Sequence, residues 1–206
     1  MNQKTQLLSS LKHQGFSPQI INAFSKVDRE KFVSEELKSR AYEDTALSIG
    51  QGQTISQPYT IAMMFELLEL KSGQKVLEIG SGCGYVLALL SEIVGKKGEV
   101  FGIEIVKELS EKSKENLRDC KNVKVYNKNG AEGLEEYAPF DRILISAASE
   151  KVPQKVLNQL KDKGILVAPV GVFGIGQSLT SVQRTRKNFT IKEEIPGFVF
   201  VKFVGD

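Results

Sequence analysis

A chain of 206 residues is long enough for one sizeable α/β domain with an extension and too short for two full enzyme domains. Hydrophobic residues at 41% and charged residues at 26% describe a globular protein and exclude extensive disorder. A net charge of +3 is too weak to imply a nucleic-acid partner, and the basic run Gln183-Arg184-Thr185-Arg186-Lys187 reads as a solvated strand end or turn.

Residues 3–40 carry helical spacing: Leu7, Leu8 and Leu11 fall on one face, and so do Ile20, Ile21, Phe24 and Val27. Ser17-Pro18 predicts a helix start with the serine as cap, and Asp28 a cap for a shorter helix through Phe32 and Leu37. Residues 41–56, rich in Gly, Gln, Ser and Thr, read as a structured loop that completes an N-terminal helical subdomain over 1–56. Pro58 opens a helix with Ile61, Met64, Phe65, Leu67 and Leu68 on its apolar face, the start of the main domain over 57–206.

From Lys75 the pattern alternates: strands over 75–79, 99–103, 122–126, 141–146 and 164–169, helices over 84–94, 107–118 and 151–160, and a short turn or helix over 130–137. This predicts an α/β fold with a Rossmann-like, doubly wound, mostly parallel sheet. Runs 178–185, 188–195 and 198–204 lack crossing helices and predict antiparallel strands at the sheet edge.

Within this alternation, Val76-Leu77-Glu78-Ile79-Gly80-Ser81-Gly82-Cys83-Gly84-Tyr85 places glycines at alternate positions between a strand and a helix. Such a turn brings bare backbone against a ligand, because no Cβ intervenes. Glu104 ends the next strand about 20 residues further on, where a carboxylate can accept hydrogen bonds from a ribose diol. These residues describe a nucleoside-type cofactor site. Three details resemble S-adenosyl-L-methionine-dependent methyltransferases and favour that cofactor: the spacing is G-x-G-x-G rather than G-x-G-x-x-G, Glu78 stands two residues before the first glycine, where many such enzymes carry an acidic residue, and Asn129-Gly130 follows the third strand of the alternation, where they usually carry an aspartate beside the adenine amine.

The loop Ala41-Tyr42-Glu43-Asp44-Thr45-Ala46-Leu47-Ser48-Ile49-Gly50-Gln51-Gly52-Gln53-Thr54-Ile55-Ser56-Gln57-Pro58 resembles the signature loop of protein-L-isoaspartate O-methyltransferases. Asp28-Arg29-Glu30-Lys31-Phe32-Val33, Pro139 to Ala148 and Ile165 to Gly171 are similar to further motifs of that family, so the resemblance runs over nearly the whole chain. It implies methylation of the abnormal α-carboxylate of L-isoaspartyl residues in damaged proteins and peptides, the first step of repair through a succinimide, with S-adenosyl-L-homocysteine as by-product. It also implies a catalytic role for Ser56, cofactor contacts from Gln53, Thr54, Ile55, Glu78, Gly80, Ser81, Gly82, Gly84, Glu104, Ile105, Asn129 and Gly130, and substrate pairing by Ser56, Phe198, Val199, Phe200 and Val201. Two positions depart from the family pattern: Asn129 stands for the usual aspartate and Lys202 for a usual proline.

The chemistry suits the residues present. A carboxylate acceptor has a reference pKa of about 4, so it is an anion at neutral pH and needs no general base. The single histidine, His13, reads as structural or solvent-exposed, and no metal-ligand spacing is present. Cys83 reads as a packing residue in the turn, Tyr85 and Phe140 as core, and Asp44 as a solvated loop residue or part of the site. Glu78 is placed to hold the glycine turn through backbone N–H groups while also serving the cofactor.

Other readings stay open: a methyltransferase acting on nucleic acid, a small molecule or a normal aspartate in a dedicated partner, or a relative that binds without turnover. Against methylation of base amines stands Ser146-Ala147-Ala148-Ser149, where such enzymes carry an Asn/Asp-Pro-Pro-aromatic segment. Free thiols at Cys83 and Cys120, no apolar leader and no bilayer-length apolar run predict a cytoplasmic protein without membrane contact, expected to be a monomer.

Overall fold

The computed structural model describes residues 2–172, 175–186 and 188–204. The chain begins with helices α1 (Gln3–His13) and α2 (Pro18–Lys26), followed by two 3₁₀ segments, Arg29–Phe32 and Glu35–Arg40. Strands β1 (Leu47–Gly50) and β2 (Gln53–Ile55) form a separate antiparallel pair, and helix α3 (Pro58–Leu68) follows. The main body runs β3 (Lys75–Ile79), α4 (Tyr85–Val94), β4 (Glu99–Glu104), α5 (Lys107–Asn116), β5 (Val123–Asn127), β6 (Phe140–Ile145), α6 (Gln154–Asn158), β7 (Leu160–Val170), β8 (Gln177–Thr185) and β9 (Asn188–Phe198).

These strands form one seven-stranded sheet in the order β5-β4-β3-β6-β7-β8-β9, parallel through β7 and antiparallel beyond it. The fold is therefore the expected α/β sheet with antiparallel edge strands. Alternation within the strands divides the core: Val76, Val100 and Leu144 face the helices α1 to α5, whereas Leu77, Phe101 and Ile143 face the layer containing Val156, Leu160 and Phe203. Leu7, Leu11, Ile20 and Phe24 of the first two helices belong to the first of these layers, so the N-terminal helices share the sheet's own core. Among the described residues no helix is long and apolar enough to cross a membrane.

Several expectations are corrected. The segment 41–56 is not all loop, because the β1–β2 hairpin forms within it, turning at Gly50, Gln51 and Gly52, all at positive φ. Ser17 caps α2 by position only: its hydroxyl is buried without a partner, while its backbone N–H donates to the Glu66 carboxylate. Asp28 does not cap with its side chain either, and instead pairs with Lys4 at 2.6 Å and Lys31 at 3.0 Å. Helix α6 is only five residues long, because Pro153 sets its start and β7 begins at Leu160.

The run 198–204 is not a strand. Pairing with β8 ends at Phe198 beside an irregularity at Gly197, and the chain then crosses the carboxyl end of β6. There Ala148 N–H donates to Val201 O and Phe203 N–H donates to Ala148 O, each at 2.8 Å, while the Gln177 side chain accepts the Phe200 N–H at 2.8 Å. Of the basic run, residues 183–185 lie in β8, Arg186 turns at positive φ, and Lys187 lies outside the described residues.

Candidate active site

A cavity of about 810 Å³ opens at the carboxyl ends of β3, β4 and β6, where the strand order reverses direction. Its floor is the turn after β3. Gly80 and Ser81 N–H groups both donate to Ile103 O, at 2.8 and 3.1 Å, which ties the turn to β4. Gly80, Gly82 and Gly84 all have positive φ, a conformation that a Cβ strongly disfavours. The third glycine serves packing as well: a Cβ on Gly84 would lie 2.5 Å from Ser113 Oγ and 2.8 Å from a Leu117 methyl. Gly84 accordingly lets α4 start tight against α5 and does not line the cavity.

The expected division of labour between the two acidic residues is altered. Glu104, not Glu78, holds the turn: its Oε2 accepts the Gly82 N–H at 2.7 Å and its Oε1 the Val106 N–H at 2.9 Å. Glu78, 1% exposed, accepts a hydrogen bond from Ser146 Oγ at 2.8 Å, while its Oε2 is left without a partner. Burial is the main reason that the Glu78 carboxyl is pushed up to about 8, and the neighbouring Glu104 charge adds to this. Ser81 Oγ is likewise buried without a partner. Unsatisfied polar atoms are costly in a dry interior. Here both belong to residues lining the cavity.

Above this floor sits the β1–β2 hairpin. Ile49, Gln53, Thr54, Ile55 and Ser56 line the cavity from that side, and Ile105 and Gly130 close it laterally. Asn129 does not line it: its side chain is exposed and accepts from Ala131 N–H at 2.9 Å, capping the 3₁₀ turn Gly130–Glu132. Ser146, Ala147 and the segment 201–204 also line the cavity, although sequence reasoning did not name them for it. Ser146 follows a strand end at the switch point, a signal that could have singled it out. Nothing local marks 201–204, which arrives through pairing with Ala148 and through the hydrogen bond from Phe200 N–H to Gln177.

A second compartment, a groove of about 1110 Å³, lies beside the first. Ile195 to Val201 form one wall, and Ala46, Gln57, Tyr59 and Thr60 the other. All four C-terminal residues expected to pair with substrate are here, but they differ in aspect: Val199 is 84% exposed while Phe200 is buried in the core. Thr54, Ser56, Ser146 and Val201 line both compartments, so Ser56 stands at their junction. Gln57 is the residue preceding α3, as expected, but the side chain that caps the helix is Asp44, whose Oδ1 accepts the Tyr59 N–H at 2.8 Å. Among the described residues no group of three or more His, Cys, Asp or Glu is placed to hold a metal ion. His13 is exposed at the end of α1. Cys83, Tyr85 and Phe140 are buried; burial raises the Cys83 thiol to about 11, as befits a packing residue.

The family model for protein-L-isoaspartate(D-aspartate) O-methyltransferase matches residues 2–206. The chain belongs to that family. Among curated relatives, a protein-L-isoaspartate O-methyltransferase from Fervidobacterium nodosum is 47% identical over 80% of this chain and 84% of its own. One from Methanothrix thermoacetophila is 42% identical over 98% of this chain and 95% of its own. Of solved structures, one protein-L-isoaspartate O-methyltransferase superimposes with a TM-score of 0.87 at 31% identity, covering 97% of this chain but 65% of that longer one. A second, from Plasmodium falciparum and assigned to the same activity, was solved with S-adenosyl-L-homocysteine. It superimposes with a TM-score of 0.86 at 27% identity over the full length of both chains. Membership in this family makes the chain an S-adenosylmethionine-dependent methyltransferase.

Proposed function

We infer that this protein transfers a methyl group from S-adenosyl-L-methionine to the free α-carboxylate of L-isoaspartyl residues in damaged proteins and peptides, which starts their repair through a succinimide. The observation that carries the reading is the meeting of two compartments at Ser56, which lines both the glycine-floored cavity and the C-terminal groove together with Thr54, Ser146 and Val201.

The cavity fits the cofactor by the chemistry of its donors and acceptors. Backbone at Gly80 and Gly82 carries no Cβ, Glu104 offers carboxylate oxygens at a strand end, and Glu78 Oε2 and Ser81 Oγ are polar atoms awaiting partners. Gln53, Thr54, Ile55, Ile105 and Gly130 complete the set that would hold the molecule. Gly84 and Asn129, also expected to serve the cofactor, do not line the cavity itself. When bound, S-adenosyl-L-methionine supplies an electrophilic methyl group.

The chain's own residues supply binding, orientation and exclusion of water. The acceptor carboxylate is already anionic near neutral pH, so its oxygen lone pair attacks without a base. Ser56 donates a hydrogen bond to one carboxylate oxygen and thereby aims the other. The hairpin keeps water from the junction, and the segment 195–201 holds the peptide in its groove. Orientation of this kind can supply several kcal/mol of rate acceleration (roughly 7–11 in the best cases). No side chain has to abstract a proton in this reaction.

Labelled cofactor offered with matched peptides tests the function. Base-labile label is expected on the isoaspartyl peptide and not on its aspartyl or asparaginyl counterparts. Equal labelling of aspartyl peptide, or label on nucleic acid alone, refutes the assignment.

A further inference from the structure

Among the described residues, the largest fully buried side chain is a cation, Arg29, at 0% exposure. Its neighbours Glu30 and Lys31 point to solvent, so the inward turn of Arg29 is specific to that position. Among the described residues it forms no ion pair, and its Nε lacks any hydrogen-bond partner. A buried cation costs several kcal/mol unless well compensated, and a hydrophobic residue of similar volume avoids that cost. Stability alone therefore gives no account of an arginine here.

What the guanidinium holds is informative. Nη1 donates to Ser56 O at 2.7 Å and Nη2 donates to Thr45 O at 2.9 Å. Thr45 and Ser56 are the two residues that bracket the 46–55 segment carrying the hairpin. One planar fork thus grips both roots of the element that covers the cavity, and one root is Ser56 itself. The guanidinium carbon also lies over the Tyr85 ring, 5.6 Å from its centroid, and Tyr85 in turn lines the cavity. Because the arginine donors sit at fixed angles in one plane, they can bridge two carbonyls at a set separation, which a lysine ammonium cannot reproduce.

We propose that Arg29 is the positioning residue for Ser56: by clamping both roots of the covering hairpin, it fixes the hydroxyl at the junction of the two compartments. Arg29 touches neither methyl donor nor acceptor in this role and acts through the backbone. The proposal deepens the methyltransferase reading and rests on it for its kinetic consequence, while the mechanical part stands on the hydrogen bonds alone.

The variant Arg29→Lys keeps the charge and breaks the clamp. At saturating cofactor and isoaspartyl peptide, kcat is expected to fall about tenfold or more, since a displacement near 1 Å can cost up to ~100-fold. Affinity for S-adenosyl-L-homocysteine, measured by calorimetry, is expected to fall by a clearly smaller factor than kcat, because the glycine turn and Glu104 are untouched and only the hairpin contacts of Gln53, Thr54 and Ile55 are loosened. Hydrogen exchange should quicken in residues 46–56 while β3, β4 and β6 keep their protection. Should Arg29→Lys fail to fold, Arg29→Gln gives the same comparison without the charge. Wild-type kcat with unchanged hairpin exchange overturns the proposal, as do parallel losses of kcat, cofactor affinity and protection throughout the sheet. If the unmodified protein is inert on isoaspartyl peptide, the function falls, and exchange in 46–56 still decides whether Arg29 clamps the hairpin.

Discussion

The two compartments that meet at Ser56 are built in opposite ways. The glycine-floored cavity comes from consecutive strand ends of one parallel sheet, held by backbone hydrogen bonds between neighbours such as Gly80 and Ile103. The groove comes from segments far apart in the chain, Ala46, Thr54, Ser56, Gln57, Tyr59 and Thr60 on one side and residues 195–201 on the other, brought together by single side chains. Arg29 roots the hairpin, Asp44 caps α3 across the loop, and Gln177 takes the Phe200 N–H. On the proposed reading, a nucleoside-sized ligand would be met by the sheet-built part of the fold and a variable peptide by the part that a few side-chain contacts hold in place. Such a split suits an enzyme whose one ligand is constant and whose other ligand differs with every damaged protein.

The sharpest test of the rigid half is its buried carboxyl. Glu78 titrates near 8 in the ligand-free fold, against about 4.5 in an unfolded chain. The folded state therefore binds an extra proton between those values, and stability contributed by the protonated form is lost as pH rises from 4.5 through 8. The loss is on the order of a few kcal/mol. Thermal melts of the ligand-free protein at acidic and mildly alkaline pH should show it, and Glu78→Gln should flatten the dependence. A pH-independent difference between the two proteins would show that Oε2 is solvated or paired after all.

Glu104→Ala comes next. It removes the expected ribose acceptor and also the acceptor for two backbone N–H groups, those of Gly82 and Val106. Hydrogen bonds to a charged group are worth roughly 1.5–3 kcal/mol each, so cofactor affinity is expected to fall about 100-fold or more by calorimetry. An affinity within threefold of wild type would mean that the turn and the ribose do without it.

Ser56→Ala probes the junction itself. Turnover on isoaspartyl peptide should drop by about 10- to 100-fold, as when a positioned donor is removed, with cofactor affinity nearly unchanged. If both fall by the same factor, the serine supports the hairpin and does not address the acceptor. Comparison with Arg29→Lys sharpens the result, because the hydroxyl and its backbone anchor are then removed separately.

The same division decides what could be read from the sequence. The parallel sheet, the glycine turn, Glu104 and the apolar face of α3 were legible because each follows from local geometry: strand alternation, positive φ, helical spacing. The resemblance of the Gln53–Ser56 loop to a known motif placed it over the site. Sequence did not show that the segment 198–204 leaves the sheet edge and crosses β6, since Phe-Val-Phe-Val has strand propensity and only Ala148 and Gln177, remote in sequence, redirect it. Nor did it show that Glu104 takes the turn-holding task assigned to Glu78, or that Asn129 spends its acceptor on a local cap. These contacts come from a remote partner or a neighbouring backbone donor, which spacing in the sequence does not reveal.

The smallest expected effect concerns Asp44, and it tests whether the cover is rooted from the helix side as well. Pro58 has no N–H to offer, so the first free donor at the α3 start is that of Tyr59. The usual capping position is occupied by Gln57, whose side chain does not cap, and its amide donates to Asp44 instead, at 3.3 Å. Asp44 therefore does a capping residue's work from another segment, and its negative charge sits at the favourable end of the helix dipole. Asp44→Ala should lower stability by about 1 kcal/mol in denaturant titrations with an unchanged slope. It should also quicken exchange at the Tyr59 amide while leaving the middle of α3 protected. Asp44→Asn, which keeps an acceptor oxygen, should recover most of the loss. If alanine costs nothing, water caps the helix as well as Asp44 does, and the hairpin is rooted by Arg29 alone.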